Sequence, residues 1–172
     1  HLNIDLAPTM AELLHVEPTP HWDGESYVDS LMQQKASSRE CVVLGQCTHV
    51  CQRSVRFGDY LYIRTVHGGY HLFDDEMLFD VKNDPHEQKN LAPERRDLTN
   101  AASRMILDWE YEMMKISRSD VDPMWTVMRE GGPIHSRGYL RAYVQRLRET
   151  GREEGARQLL EKYSLDVKSK YY

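Results

Sequence analysis

Hydrophobic and polar positions divide the chain into segments of two different spacings. Over Cys51–His67, two runs rich in β-branched and aromatic residues flank Gly58-Asp59. Glycine first in a two-residue loop suits a type II′ turn, so this segment predicts a β-hairpin. With Phe57 opposite Tyr60, the register sets Val55 against Tyr62, Arg53 against Arg64 and Cys51 against Val66. A third strand is expected over His71–Val81, following a polar turn at Asp74-Asp75. The spacing then changes to that of a helix. Leu98, Ala102, Met105, Ile106, Trp109 and Met113 recur on one face of a long helix expected from Pro93 to Lys115.

Shorter helical patterns lie on both sides. Ile4–His15 predicts a helix with Asp5 capping its first turn, Pro8 early enough to be tolerated, and Leu6, Met10, Leu13 and Leu14 on one packing face. A bend at Asp23-Gly24 and a short helix over Ser26–Met32 follow. Beyond the long helix comes a mixed stretch, Asp122–Gly138, with a loop at Gly131-Gly132-Pro133 and Ser136 as a candidate cap. Leu140, Tyr143, Val144 and Leu147 form a stripe ending at Gly151, and a last helix over Glu153–Tyr163 uses Leu159, Leu160 and Tyr163. The tail from Ser164 onward is expected to fray or to pair with something absent. Strands gathered together with helices before and after them mean α+β: a small antiparallel sheet packed by the long helix, with a helical N-terminal segment and a helical tail.

The abrupt stop in Leu78–Pro93 has a local explanation. Asp84 can cap, Pro85 suits the first helical position and Glu87 stands third, so a capping box closing a one-turn helix is expected. Asn90 tolerates a left-handed backbone, and Leu91 can pin the loop to the core.

Composition narrows the class. The chain has 172 residues, is 40% hydrophobic and 28% charged, and carries a net charge of -5, which suits a globular domain and argues against a general nucleic-acid binder. No apolar run reaches the roughly 18 residues of a membrane span. The chain opens at His1 and enters a helix almost at once, so a piece of a longer protein is the expectation. Cys41, Cys47 and Cys51 fit no usual zinc spacing; small buried residues or one incidental disulfide are expected.

Chemistry is sparse. The chain has no Gly-rich phosphate loop, no G-x-S-x-G elbow and no H-E-x-x-H. His67 and His71 flank Gly68-Gly69 at the open end of the hairpin, near Arg53 and Arg64. Cationic and hydrogen-bonding groups gathered there could hold an anionic ligand, and a solvated loop is the alternative. Asp74, Asp75 and Glu76 read as a solvated turn rather than a cation site.

Four segments, in order, resemble the sulfatase family. Leu78–Ala92 resembles its L-Y-D-L-x-x-D-P-x-E-x-x-N-L-A signature. His1–Val16 resembles its D-x-x-P-T helix, Trp22–Leu31 its D-G-x-S segment, and Arg53–Arg64 its R-A-V-R-T-G-x-Y-K-Y-I hairpin. The resemblance covers His1–Pro93 and fades into a helical tail. It implies a C-terminal part: residues 1–35 ending the catalytic α/β domain, 36–120 forming a subdomain of a small antiparallel sheet of about four strands plus the long helix, and 121–172 the tail. The nucleophile motif, C-x-P-x-R or S-x-P-x-R, is missing. Cys51 is followed by Arg53 where proline belongs, and Arg56 stands one place too far; Cys41 and Cys47 fail as well.

The resemblance therefore implies no catalytic residue and no metal ligand in this chain. Formylglycine and Ca²⁺ are expected in the missing N-terminal sulfatase domain, the chief partner. The parent would hydrolyse sulfate esters of a sulfated carbohydrate, in a periplasmic, secreted or lysosomal setting; this chain alone would be inactive. Substrate contacts are expected from His67 and His71, with His49 and Arg53 beside them, and more weakly from His135 and Arg137. An independent anionic-glycan-binding module and a fragment of a related phosphoesterase remain the alternatives.

Overall fold

The computed structural model describes residues 2–33 and 39–164. These fall into two compact units, His1–Glu40 and Cys41–Tyr172.

In the first unit a 3-10 turn, Asn3–Asp5, leads into helix α1, Leu6–Leu13, and a short helix α2, Val28–Gln33, follows. Asp5 does not cap α1 with its side chain. It is buried, and its carboxylate accepts from the amides of Leu2 and Glu25 and from both terminal nitrogens of Arg39, at 2.6 and 2.8 Å. The Arg39 guanidinium holds the Asp5 carboxyl well below the usual carboxylate range. Thr9 donates to the Asp5 carbonyl and accepts from the Tyr27 amide, which ties α1 to the segment before α2. The side of α1 that is buried consists of Pro8, Thr9 and Ala11. The expected packing face of Leu6, Met10, Leu13 and Leu14 is 46–66% exposed, because nothing among the described residues covers it.

The second unit opens with a meander of four antiparallel strands in sequence order: β1 Cys41–Gln46, β2 Cys51–Phe57, β3 Tyr60–His67 and β4 Glu76–Asp80. Gly58 takes a φ of 49° and Asp59 stays negative, as a II′ turn needs. The expected register holds from Phe57–Tyr60 through Arg53–Arg64 to Gln52–Thr65. It then fails: a bulge between Cys51 and Gln52 pairs Cys51 with His67 rather than Val66, leaving Val66 as the extra residue. β4 is shorter than expected and begins at Glu76, since Gly69 and Tyr70 take φ values of 57° and 67° and turn the chain off the sheet.

The loop after β4 is not a capped helical turn. Glu87 sits at a φ of 54°, which ends any helix there, while Asp84 accepts from the Lys89 amide at 2.8 Å. Asn90 is not left-handed. Its Oδ1 accepts from the amides of Leu78 and Ala92, at 3.0 and 2.9 Å, and its amide nitrogen donates to Asp74 and to the Glu76 carbonyl. Leu91 donates its amide to the Leu78 carbonyl at 2.7 Å. Asn90 and Leu91 thus satisfy the outer edge of β4 without adding a strand.

Helix α3, Arg96–Ile116, lies on the sheet. Ala102 and Ile106 join Val55, Tyr62, Leu78 and Ala92 in a buried cluster, with Leu98, Met105 and Leu91 against it. The far end of the helix is open: Met113, expected on the packing face, is exposed, as are Tyr111, Met114 and Ile116. Helix α4, Pro123–Arg129, occupies the mixed stretch; Asp122 caps it through the Met124 amide and Pro123 fills the first turn.

Helices α5, Leu140–Glu149, and α6, Glu153–Lys162, form a hairpin through Gly151. Ser136 does not cap α5; its hydroxyl donates to the Pro133 carbonyl. Leu140, Val144, Ala156, Leu159 and Tyr163 enclose Tyr70 in a second buried cluster. The expected frayed tail lies, from residue 165 on, outside the described residues.

Candidate functional site at the open end of the hairpin

The β2–β3 bulge sets the site. By pairing Cys51 with His67 it turns the His67 ring inward, where the side chain is 6% exposed. Nδ1 of His67 accepts from the Gly69 amide at 3.0 Å. Its ring packs on Tyr163 and Tyr70, with centroids 4.9 and 5.6 Å away. Gly132 closes over the other edge: a Cβ there would come within 2.9 Å of Nε2, and its φ of 85° independently requires glycine. The Gly68 amide donates to the Tyr163 hydroxyl at 2.9 Å, and Lys162 donates to the Phe73 carbonyl and to Asp75. The end of α6 is therefore fastened to both sides of the loop.

The expected site residues separate. His49 is exposed and meets His135 edge-on, with ring centroids 5.0 Å apart. Nδ1 of His135 is buried with no hydrogen-bond partner among the described residues. A Cβ on Gly69 would strike the His49 carbonyl and come within 3.3 Å of the His135 ring, so His49, His135 and the Gly68-Gly69 turn form one patch with His67 beneath. His71 is exposed and faces Phe73 at 5.5 Å. It borders a groove of about 350 Å³, lined also by Tyr70, Leu72, Tyr143, Arg146, Leu147 and Arg152.

Arg53 lies elsewhere. Its guanidinium is buried between Glu110, at 3.1 Å, and Asp122, at 2.9 Å, and stands 5.2 Å over the Trp109 ring. Those partners engage its charge in holding α3 and α4 against β2. Arg137 pairs with Glu130 at 3.0 Å and donates to the Gly132 carbonyl.

Sequence reasoning missed Tyr70, Arg146 and Arg152. The spacing of Tyr143, Arg146 and Leu147 places Arg146 at the edge of a recognisable apolar stripe, and that signal was available. No local pattern marks Tyr70 or Arg152.

The three cysteines are free thiols. Burial pushes the Cys51 thiol up to about 11, with the neighbouring Cys47 thiol adding to the effect. Among the described residues no group of three or more His, Cys, Asp or Glu side chains is placed to hold a metal ion. No helix among them is long and apolar enough to cross a membrane.

A four-stranded meander backed by one long helix and finished by a helical hairpin is an α+β architecture, and solved structures share it. No protein-family model and no curated protein sequence matches this chain. A protein from Bacteroides thetaiotaomicron, described provisionally as a sulfatase, matches with 28% identity and a TM-score of 0.51, over 69% of this chain and 27% of its own. Another, solved in complex with its substrate D-glucosamine-2-N,6-O-disulfate, matches with 18% identity and a TM-score of 0.54, over 69% and 25%; that likeness is one of fold. The structural neighbours of this chain are sulfatases, and it spans about a quarter of the length of those it matches.

Proposed function

We propose that this chain is the C-terminal part of a sulfatase acting on a sulfated sugar, and that it supports a catalytic centre borne by the rest of the parent. The observation that carries this reading is the 28%-identical match confined to a quarter of a longer sulfatase-like chain. The open apolar face of α1 supports it, since Leu6, Met10, Leu13 and Leu14 are a surface suited to burial against a larger body. Formylglycine and calcium, which the sulfatase resemblance implies, do not fit the residues here. No cysteine or serine stands in the C/S-x-P-x-R pattern, and the described residues offer no cluster for the ion. Both belong, in this reading, to the N-terminal domain, and the parent works in a periplasmic, secreted or lysosomal setting.

Within this chain, exposed His71 and His49 are the groups to meet hydroxyl or acidic groups of the sugar. His67 and Arg53, both buried, hold the loop and the helices that present them. The test joins this chain to the sequence that precedes it and measures sulfate release from sulfated monosaccharides. Release by the longer protein and none by the 172-residue chain supports the proposal; turnover by the chain alone overturns it. His71→Ala in the active parent should raise KM or lower kcat/KM with an unchanged melting temperature. Unchanged kinetics would remove His71 from the substrate.

A further inference from the structure

The groove between the Gly68–Leu72 loop and the α5–α6 turn has features that the proposed hydrolysis does not use. Arg146 and Arg152 stand at its rim, both exposed, and neither makes an ion pair among the described residues. Among the described residues the Arg152 guanidinium donates to the Thr150 hydroxyl. Their neighbours on the same helical hairpin behave differently: Arg148 pairs with Glu153, and Arg157 with Glu154 and Glu161. Among the described residues no carboxylate lines the groove, so two cations without an ion pair there and His71 face the same space.

The floor is aromatic and held in place. Tyr70 meets Tyr143 edge-on at 5.6 Å and Tyr163 perpendicular at 5.1 Å. Its backbone sits at a φ of 67°, a left-handed conformation that is unfavourable for a non-glycine residue. Such strain persists only where the surroundings over-determine it, and the packing on Tyr163 together with the Gly68–Tyr163 hydrogen bond provides that constraint. A rigid aromatic floor with arginines at the rim matches a sugar ring that carries an anion. The ring's C–H face packs on half-buried Tyr143, and the planar guanidinium groups bind sulfate oxygens in pairs.

We propose that this groove binds one sulfated unit of an oligosaccharide, with its sulfate between Arg146 and Arg152 and its ring against Tyr143, which buried Tyr70 backs. The proposal rests on the sulfatase reading for its choice of sulfated saccharide over other anions. The groove's volume of about 350 Å³ fits a monosaccharide unit within a longer chain.

The experiment uses the intact protein that contains this chain. Calorimetry at 4 °C compares a heparin-derived hexasaccharide, its desulfated counterpart and inorganic sulfate. The hexasaccharide is expected to bind and the other two to bind at least tenfold more weakly. Arg146→Gln with Arg152→Gln should weaken hexasaccharide binding by roughly tenfold per arginine, the scale of one hydrogen bond to a charged group. Arg148→Gln, which removes an arginine already in an ion pair, should leave it unchanged, and all melting temperatures should stay together. Wild-type affinity in the double variant, or equal affinity for the desulfated chain, overturns the proposal. The two readings fail separately. Arginine-dependent hexasaccharide binding in a parent that releases no sulfate sinks the enzyme assignment and keeps the groove. Sulfate release with binding indifferent to both arginines does the reverse.

Discussion

The two buried clusters of the Cys41–Tyr172 unit are assembled in opposite ways. The first, around Val55, Tyr62 and Leu78, is crossed by strand ladders and covered by the 21-residue helix α3. Its strand side chains Val55, Tyr62 and Leu78 are held in register by backbone pairing before packing adds anything. The second, around Tyr70, Leu140 and Leu159, joins two ten-residue helices to a loop. Isolated helices of that length are marginal, so α5 and α6 gain their stability from the face they bury. The loop in turn keeps its left-handed Tyr70 only because the helices hold it. The candidate site belongs to the second cluster. It is therefore coupled to an element that can loosen without unfolding the sheet.

The sharpest break in that comparison is Leu78→Ala. Leu78 is fully buried in the sheet cluster, and its truncation should cost about 2–5 kcal/mol and unfold both clusters together in a denaturant titration. Separate transitions after this change would mean that the second cluster stands alone. Asn90→Ala comes next. It strips the acceptor from the amides of Leu78 and Ala92 and should cost about 1–3 kcal/mol, with faster amide exchange at the β4 edge but not in α5 or α6.

Tyr163→Phe acts on the other cluster. The Gly68 amide loses its partner in a buried setting, worth about 1–2 kcal/mol, and exchange should quicken in Gly68 and along α6 while the β2–β3 ladder stays protected. Equal acceleration in both clusters would merge them into one cooperative unit.

The smallest effect is one of pH. The folded pKa of Cys51, about 11, lies above its ordinary value near 9. The neutral buried thiol therefore contributes stability below pH 9 that is lost as pH rises from there through 11. Cys51→Ala should flatten this alkaline limb, and alkylation of native protein should reach Cys47 and Cys41 before Cys51. A limb of the same steepness in the variant would assign it to another group.

Local patterns carried much of the fold. Gly58-Asp59 and its flanking runs specify the hairpin and its register, because side-chain period and turn type act over a few residues. The stripe from Leu98 to Ile106 likewise marks the covered face of α3, and that from Leu140 to Leu147 the inner face of α5. The two Asp-Pro pairs show where such patterns stop. Asp84-Pro85 has the better capping box yet forms no helix, since Glu87 turns left-handed and Asn90 is drawn to the β4 edge. Asp122-Pro123 lacks the box and does cap a helix, with its second carboxylate oxygen held by Arg53. A neighbour distant in sequence decided each case.

The candidate site was legible in part for the same reason. His67 and His71 are where the hairpin's open end puts them, but one is buried and the other open. That division follows from the bulge at Cys51 and the docking of Tyr163, neither of which has a sequence signature. Arg53 reads as a free cation in one dimension and is held by Glu110 and Asp122 in three.

The sequence by itself determined the central hairpin, its turn, the long helix and the absence of a nucleophile motif, because those depend on neighbours within a few positions; it did not mark β1, Cys41–Gln46. Only the tertiary structure decided which histidines face water, which arginines remain uncompensated and which apolar face of α1 stays open. Those outcomes depend on which distant groups arrive to bury or neutralise a side chain.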